Sequence, residues 1–368
     1  MTVADIEKFF DIWAPRWAAS ERDNVGLQVG HRLRSVKRIL VALDVTAEVV
    51  SEAARKKVDL IVSHHPLLFR PPSSITSSDR VGRLVLTLAQ KKIAVFSAHT
   101  NLDSARDGVS FSLARVLGLQ RIRFLAPLKD TLVKLAVFVP EGHAEGVTSA
   151  MTTAGAGVIG NYTSCSFRLK GTGTFRGAQD SKPFVGRALQ LESVDEVRLE
   201  MIVPRARLRD VIAAMKSAHP YEEVAYDVYP LQNEDPNFGM GAIGELPRPV
   251  TLKSLLNRTK RRLNAEALRY VGHLNRRVRR VAVCGGSGSE LLNEAIAAGA
   301  DVFLTADIRY HAFHEAQDRI ALVDAGHWET EHPALAAIER RLREFINQKG
   351  DKTQVFLSKY STNPTHSR

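Results

Sequence analysis

Five residues at three places in this 368-residue sequence carry the side chains of a metal site. His64 and His65 stand together in Ser63-His-His-Pro66. Asp103 closes His99-Thr-Asn-Leu-Asp103. His327 and Glu331 lie four apart in Asp324-Ala-Gly-His-Trp-Glu-Thr-Glu331. Three imidazoles and two carboxylates exceed the four ligands of a closed tetrahedral site. They suit two divalent ions ~3.5–4 Å apart, bridged by Asp103 or Glu331. Nitrogen and oxygen donors without thiolate fit Zn, Fe, Mn, Co or Ni and do not choose among them. Two such ions polarise a substrate oxygen and bring the pKa of a bound water towards ~7, which is hydrolytic chemistry. His99, Asp307 and His311 are candidates for outer hydrogen-bonding groups or for acid and base. Taken alone, each ligand has an ordinary reading: strand-end histidines, a helix N-cap at Asp103, a first-turn acid at Glu331. Their shared position in the pattern of elements is what joins them.

That pattern repeats. Residues 39–66 read strand, helix, strand, and residues 281–311 read the same way. Each set is followed by another strand with a polar end, at Ile93 to Asp103 and at Ile320 to Glu331. Short apolar strands alternating with helices predict parallel βαβ units. Ligands in such folds bind beyond the carboxyl ends of the strands. All five candidates fall at such ends, on the same edge of one expected sheet. The helix of the second repeat is expected over Gly288 to Ala298, and another over Ser104 to Leu117.

Between the repeats the rhythm changes. Aligning Phe138-Val-Pro140 with Ile202-Val-Pro204 gives six identities over 19 residues, among them Val147/Val211 and Met151/Met215. Each copy reads strand, proline stop, helix, then a further strand, near Ile159 to Phe167 and Val224 to Leu231. Two such units predict a ferredoxin-like sandwich, with Pro247 and Pro249 marking its exit. The fold class is therefore α/β: two related α/β halves, residues 1–129 and 247–368, that form the metal-binding unit, with a ferredoxin-like α+β domain inserted at 130–246.

Composition excludes several other classes. Hydrophobic residues are 44% and charged residues 25%, which is ordinary globular usage. No apolar stretch approaches the ~20 residues of a membrane span. The first ten residues lack the form of a secretory signal. Two cysteines make no disulfide framework, so a cytoplasmic protein is expected. Cys165 and Cys284 are read as core residues, not nucleophiles. The net charge of +11 is local. Residues 248–280 hold eleven Lys or Arg against one acid, Glu266. Leu252, Leu255, Leu256 and Leu263 recur at helical spacing there, so the basic residues read as a solvated helix face. Without a nucleic-acid motif, nucleic acid is an unlikely partner, whereas an anionic small molecule would be concentrated by such a rim. Gly285-Gly-Ser-Gly288 follows a strand and reads as an anion-binding turn.

Over nearly its whole length the chain resembles the Nif-three-like dinuclear metal-centre family, whose members are called GTP cyclohydrolase 1 type 2 homologues. The resemblance rests on Asp23-Asn-Val-Gly-Leu-Gln-Val-Gly30, Ser63-His-His-Pro-Leu67, His99 to Asp103, Thr305-Ala-Asp-Ile-Arg-Tyr-His311, Asp324 to His327 with Glu331, and Ser361-Thr-Asn-Pro364. Arg22 departs from the family, which often has Trp there. The resemblance implies that His64, His65, Asp103, His327 and Glu331 bind two metal ions. It implies a homohexameric ring and, by name, opening of the GTP purine ring with loss of formate. The segment Gly155-Ala-Gly-Val-Ile-Gly-Asn-Tyr162 and His219-Pro-Tyr-Glu-Glu223 resemble the CutA- and PII-like insert of longer members. A metal-dependent hydrolase of a nucleotide or another anionic small molecule is thus the first expectation. A metal-binding regulator or scaffold, whose insert senses a ligand or partner, is the alternative.

Overall fold

A computed structural model describes residues 1–160 and 162–366. Asn161 of the Gly155–Tyr162 motif lies outside the described residues. The strands, in chain order, are β1 Gly26–Val29, β2 Arg38–Ala42, β3 Leu60–Ser63, β4 Ala94–Ser97, β5 Gln120–Pro127, β6 Leu132–Pro140, β7 Phe167–Arg176, β8 Leu191–Pro204, β9 Tyr226–Pro230, β10 Gly239–Thr251, β11 Arg269–Val271, β12 Arg277–Ser287, β13 Val302–Ala306, β14 Ala321–Asp324 and β15 Gln354–Leu357. They fall in two compact units, Met1–Ala126 with Phe238–Arg368, and Pro127–Asn237.

The larger unit has two sheets. The first runs β1-β4-β3-β2-β15, parallel except for the antiparallel β1. The second runs β11-β14-β13-β12-β10-β5, with β12, β13 and β14 parallel. Strands β3, β4, β13 and β14 are buried at every residue. Continuous apolar runs of this kind belong to parallel strands covered on both faces.

The single sheet expected from the repeats is therefore corrected to two. The cause is edge pairing. The outer edge of β2 is taken by β15 in parallel register, Val355 opposite Ile39. The outer edge of β4 is taken by β1. No edge is left for the second repeat, whose β12 pairs instead with β10. The C-terminal part is nevertheless built into the first sheet. Helix Ala334–Gln348 contributes Leu335, Ile338, Leu342 and Ile346 to one core with Ile39, Leu60, Val62 and Phe96. Helix Val109–Val116 serves both sheets: Val109 enters that core, whereas Phe111, Leu113 and Ala114 pack with Val281, Val283 and Leu304.

Other boundaries also shift. The helix expected over Ser104 to Leu117 begins only at Val109 and runs to Val116, and a separate short helix, Thr100–Asp103, precedes it. Pro247 and Pro249 lie inside β10, where its pairing with β12 shifts register between Glu245 and Val250. An irregular stretch of this kind tolerates proline. Helix Leu252–Leu263 buries Leu252, Leu255, Leu256 and Leu263, while Lys253, Lys260, Arg261 and Arg262 are exposed. The apolar period thus sets its inner face. No helix among the described residues is long and apolar enough to cross a membrane.

The smaller unit follows the order β6, helix Ala144–Thr153, β7, β8, helix Leu208–Ala218, β9. Its antiparallel sheet runs β7-β8-β6-β9, the split βαβ arrangement. Val147, Met151, Val211 and Met215 of the two helices meet Leu135, Val137, Leu199 and Met201 in one core. The strand expected near Ile159 to Phe167 begins only at Phe167. Gly155, Gly157 and Gly160 hold positive φ before it, so that segment is a loop.

Leu342→Ala tests whether the C-terminal helix belongs to the first core. It should cost about 2–5 kcal/mol, the usual range for a fully buried leucine. Urea unfolding followed by both tryptophan fluorescence and circular dichroism should shift together. Loss of one probe's transition alone would mean that the helix packs as a separate part.

Candidate metal centre

The turns after β3, β4 and β14 converge, although they belong to different sheets. His64 and His65 follow β3 directly. His99 and Asp103 follow β4. His327 and Glu331 open and close the short helix His327–Glu331 after β14. Glu331 is the centre of the group. Its Oε1 lies 3.1 Å from His327 Nε2 and 3.6 Å from His64 Nε2, and its Oε2 lies 3.0 Å from His65 Nε2. Asp103 Oδ1 is 3.7 Å from His64 Nε2. The ligand atoms of His65, His327 and Glu331 all lie within 4.8 Å of one another, as do those of His64, His65 and His99. All five sequence-derived ligands are thus brought together. His99 stands among them, further inside the cluster than its reading as an outer group suggested.

Each imidazole is held from behind. His64 Nδ1 faces the Ala98 carbonyl at 2.9 Å. His65 Nδ1 faces Asp44 Oδ1 at 2.7 Å, His327 Nδ1 faces Asp307 Oδ2 at 2.6 Å, and His99 Nδ1 faces Asp23 at 3.0 Å. An oxygen behind Nδ1 keeps the proton there and aims Nε2 at the cluster. Asp44 is itself held by the Thr362 hydroxyl, and Trp328 Nε1 donates to the same Thr362. Asp307 therefore orients a ligand, whereas His311 does not join the group: it is exposed, with its ring against Tyr310.

Asp23, Asp44 and Thr362 were not singled out from sequence as site residues. A signal existed for Asp44. Ala42 pairs with Ser63 in parallel register, so Asp44, two residues on, must sit beside His65. Thr362 lies in the Ser361-Thr-Asn-Pro364 motif, but nothing local gives its role, since it arrives from the far end of the chain.

The electrostatics show a buried carboxylate shared by imidazoles. Burial works against the Glu331 charge, but His64, His327 and His65 hold its carboxyl well below the usual range. Burial also opposes a charged His65, yet Asp44 and Glu331 outweigh it and raise its pKa to about 10. The bond to Glu331 raises His327 to about 9 against burial. Burial dominates at Asp103 and pushes it up to about 7. Asp23 is the opposite case: hydrogen bonds from His99 and Thr100 overcome burial and bring it down to about 2.

Two buried atoms at this point have no hydrogen-bond partner: His64 Nε2 and Asp103 Oδ1. Buried polar atoms are rarely left so, because the cost is about 1–3 kcal/mol each. A divalent cation would satisfy both, and nitrogen with carboxylate oxygen is a donor set that such ions accept. The residues present therefore fit a metal site.

The Gly285–Gly288 turn has another task than anion binding. Two of its amides are already taken: Gly285 N–H donates to Ser110 Oγ and Gly286 N–H to Thr330 Oγ1. Gly286 has φ +63, and a Cβ there would overlap Glu331 Oε1. The turn makes room for the central carboxylate. Cys284 beneath it is buried, and burial pushes its thiol pKa up, so it is core. Cys165 is only half-buried in a loop, not in a core as expected.

Comparison with known proteins was made on this basis. The model of the Duf34/NIF3 (NGG1p interacting factor 3) family matches residues 1–364. A GTP cyclohydrolase 1 type 2 homolog of Halalkalibacterium halodurans is 40% identical over 359 residues, covering 97% of this chain and 96% of that one. The Bacillus subtilis homolog of the same name is 40% identical over 361 residues, covering 98% and 96%. Among solved structures, a Bacillus cereus protein related to NIF3 superposes with a TM-score of 0.87 at 40% identity, over 100% of this chain and 99% of that one. Staphylococcus aureus protein SA1388 gives 0.82 at 30% identity over the same shares.

Gly286→Ala isolates the role of the turn. Both the strained φ and the overlap with Glu331 should displace the carboxylate, so zinc affinity should fall by at least tenfold, or about 1.4 kcal/mol, while the circular dichroism spectrum is kept. Unchanged affinity would show that Glu331 does not need this space.

Proposed function

Because the chain belongs to the Duf34/NIF3 family, we propose that this cluster holds two divalent metal ions and serves hydrolysis of a nucleotide or another anionic small molecule. The observation that carries the reading is the pair of buried, unpartnered atoms His64 Nε2 and Asp103 Oδ1 beside the buried Glu331 carboxylate within a ring of imidazoles. His64, His65, Asp103, His327 and Glu331 are the residues that would hold the ions in this reading. Ions held there would supply Lewis-acid polarisation of a substrate oxygen and an acidified water.

The chain's own groups do the rest. Asp44, Asp307 and the Ala98 carbonyl hold Nδ1 protons and present Nε2 of their histidines. His99 has the geometry of a proton carrier. With Nδ1–H on Asp23, its Nε2 is free to accept a proton inside the cluster. The half-exposed ring of Phe69 lies 6.1 Å from that of His99 and nearly perpendicular to it. The relatives' name makes GTP the first nucleotide to try. The metal identity is open among Zn, Fe, Mn, Co and Ni.

Elemental analysis of tag-free protein beside His65→Ala and Glu331→Ala is the direct test. About two ions per chain are expected in the native protein, clearly fewer in both variants. Ions that bind only the folded state also stabilise it, by about 2.7 kcal/mol at a hundredfold excess over Kd. The variants should therefore lose the rise in melting temperature on metal addition. Equal metal content in all three proteins would remove these residues from the site.

A proton count gives a second test. With no ion bound, His65 and His327 titrate near 10 and 9, above the ordinary histidine value, so both protons are retained at neutral pH. Ligation needs neutral imidazoles, so metal uptake at pH 7 should release protons, and affinity should rise as pH approaches 9. Calorimetry in two buffers of different ionisation heat measures this. Uptake without proton release would place the ions elsewhere.

A further inference from the structure

The unit of residues 127–237 contains a second site of different chemistry. A cavity of about 360 Å3 lies between the β7–β8 hairpin and the turn that follows helix Leu208–Ala218. Phe175 of β7, Phe184 of the hairpin loop and Tyr221 of the turn line it. The Tyr221 ring centre is 6.4 Å from that of Phe175 and 6.2 Å from that of Phe184, at interplanar angles of 54° and 48°. The rings are tilted to each other, not stacked.

The charge of the lining has one sign. Among the described residues that line the cavity, Glu196, Glu222 and Glu223 are acidic and none is basic. Glu196 reaches the cavity across Gly173 of the neighbouring strand. A Cβ at Gly173 would overlap Glu196 Oε2, so the bare glycine is what admits the carboxylate. Glu222 accepts a 2.8 Å bond from the Lys182 amide, which ties the hairpin loop to the turn.

Tyr221 is fixed from behind. The buried His219 ring lies 5.0 Å away. Its Nε2–H donates to the Phe138 carbonyl and its Nδ1 accepts the Tyr221 amide. That pattern is a neutral imidazole, so it brings no positive charge. The Tyr221 hydroxyl is turned towards Glu196, and burial together with that carboxylate pushes its pKa up.

We propose that this cavity binds a small organic cation, an alkylammonium head on a compact apolar body. Aromatic faces attract a cation through their quadrupoles, most strongly where water is excluded. Glu196 adds a full opposite charge at short range. An anion would be repelled by three carboxylates. The site goes beyond the metal reading and does not depend on it.

The test uses the full chain with choline as probe, beside the neutral isostere in which carbon replaces the ammonium nitrogen. Binding is followed by calorimetry and by the aromatic proton resonances. Choline should bind saturably, and the isostere roughly tenfold more weakly or worse. Glu196→Gln should weaken choline by a similar factor and leave the isostere unchanged. Phe184→Leu, at an exposed position that leaves the core intact, should weaken choline as well. Circular dichroism and metal content should be native in both variants, which separates this site from the metal centre. Equal binding of choline and isostere, indifference of choline to Glu196→Gln, or no binding at roughly 10 mM would each overturn the proposal.

Discussion

Glu331 is a carboxylate taken out of water, with only 4% of its side chain exposed, and left facing three imidazole nitrogens. A charge so buried is costly unless it is compensated. Much of the larger unit can be understood as that compensation. Three turns from two sheets must arrive at one point. Behind them, Asp44, Asp307, Asp23 and a backbone carbonyl must each turn a ring to the correct side. Even the Gly285–Gly288 turn is shaped by it, since a side chain at Gly286 would occupy the carboxylate's place.

The two sheets meet this demand through shared helices and a late return of the chain. Helix Val109–Val116 puts Val109 in one core and Phe111 and Leu113 in the other. Helix Ala334–Gln348 and β15 bring the C-terminal segment back onto the first sheet. That return also delivers Thr362 to Asp44, and Asn363 to Glu329 in the helix that holds His327 and Glu331. Side chains from residue 23 to residue 362 thus depend on one another. Rigid strand ends with such outer support are what precise metal geometry requires.

The smaller unit shows the same economy in its own core. Paired helices place Val147 with Val211 and Met151 with Met215 against a single antiparallel sheet. Its long hairpin leaves Gly173 bare beneath Glu196, and the turn at His219–Glu223 holds Tyr221 and Glu222 opposite. A polar floor and an aromatic wall arise there from elements that otherwise only close a sandwich.

Much of this was legible in the order of residues. Apolar runs such as Leu60-Ile-Val62 and Phe303-Leu304 announce buried parallel strands, because a strand covered on both faces has no polar side. The leucine spacing of 252–263 announces its inner face for the corresponding reason. Histidines and acids at strand ends marked the site, since residue type and strand position are both local. What remained hidden was non-local. One sheet was expected where there are two, because edge pairing by β1 and β15 depends on segments far from the repeats. The extent of the β7–β8 hairpin stayed hidden because β7 is largely exposed and, like the first part of β8, lacks an apolar signature. Local periodicity determined which residues could be ligands. Only the tertiary structure decided that they share Glu331, that Asp44 and Thr362 stand behind His65, and that His311 stays outside, because those relations are distances between chain segments that nothing but packing brings together.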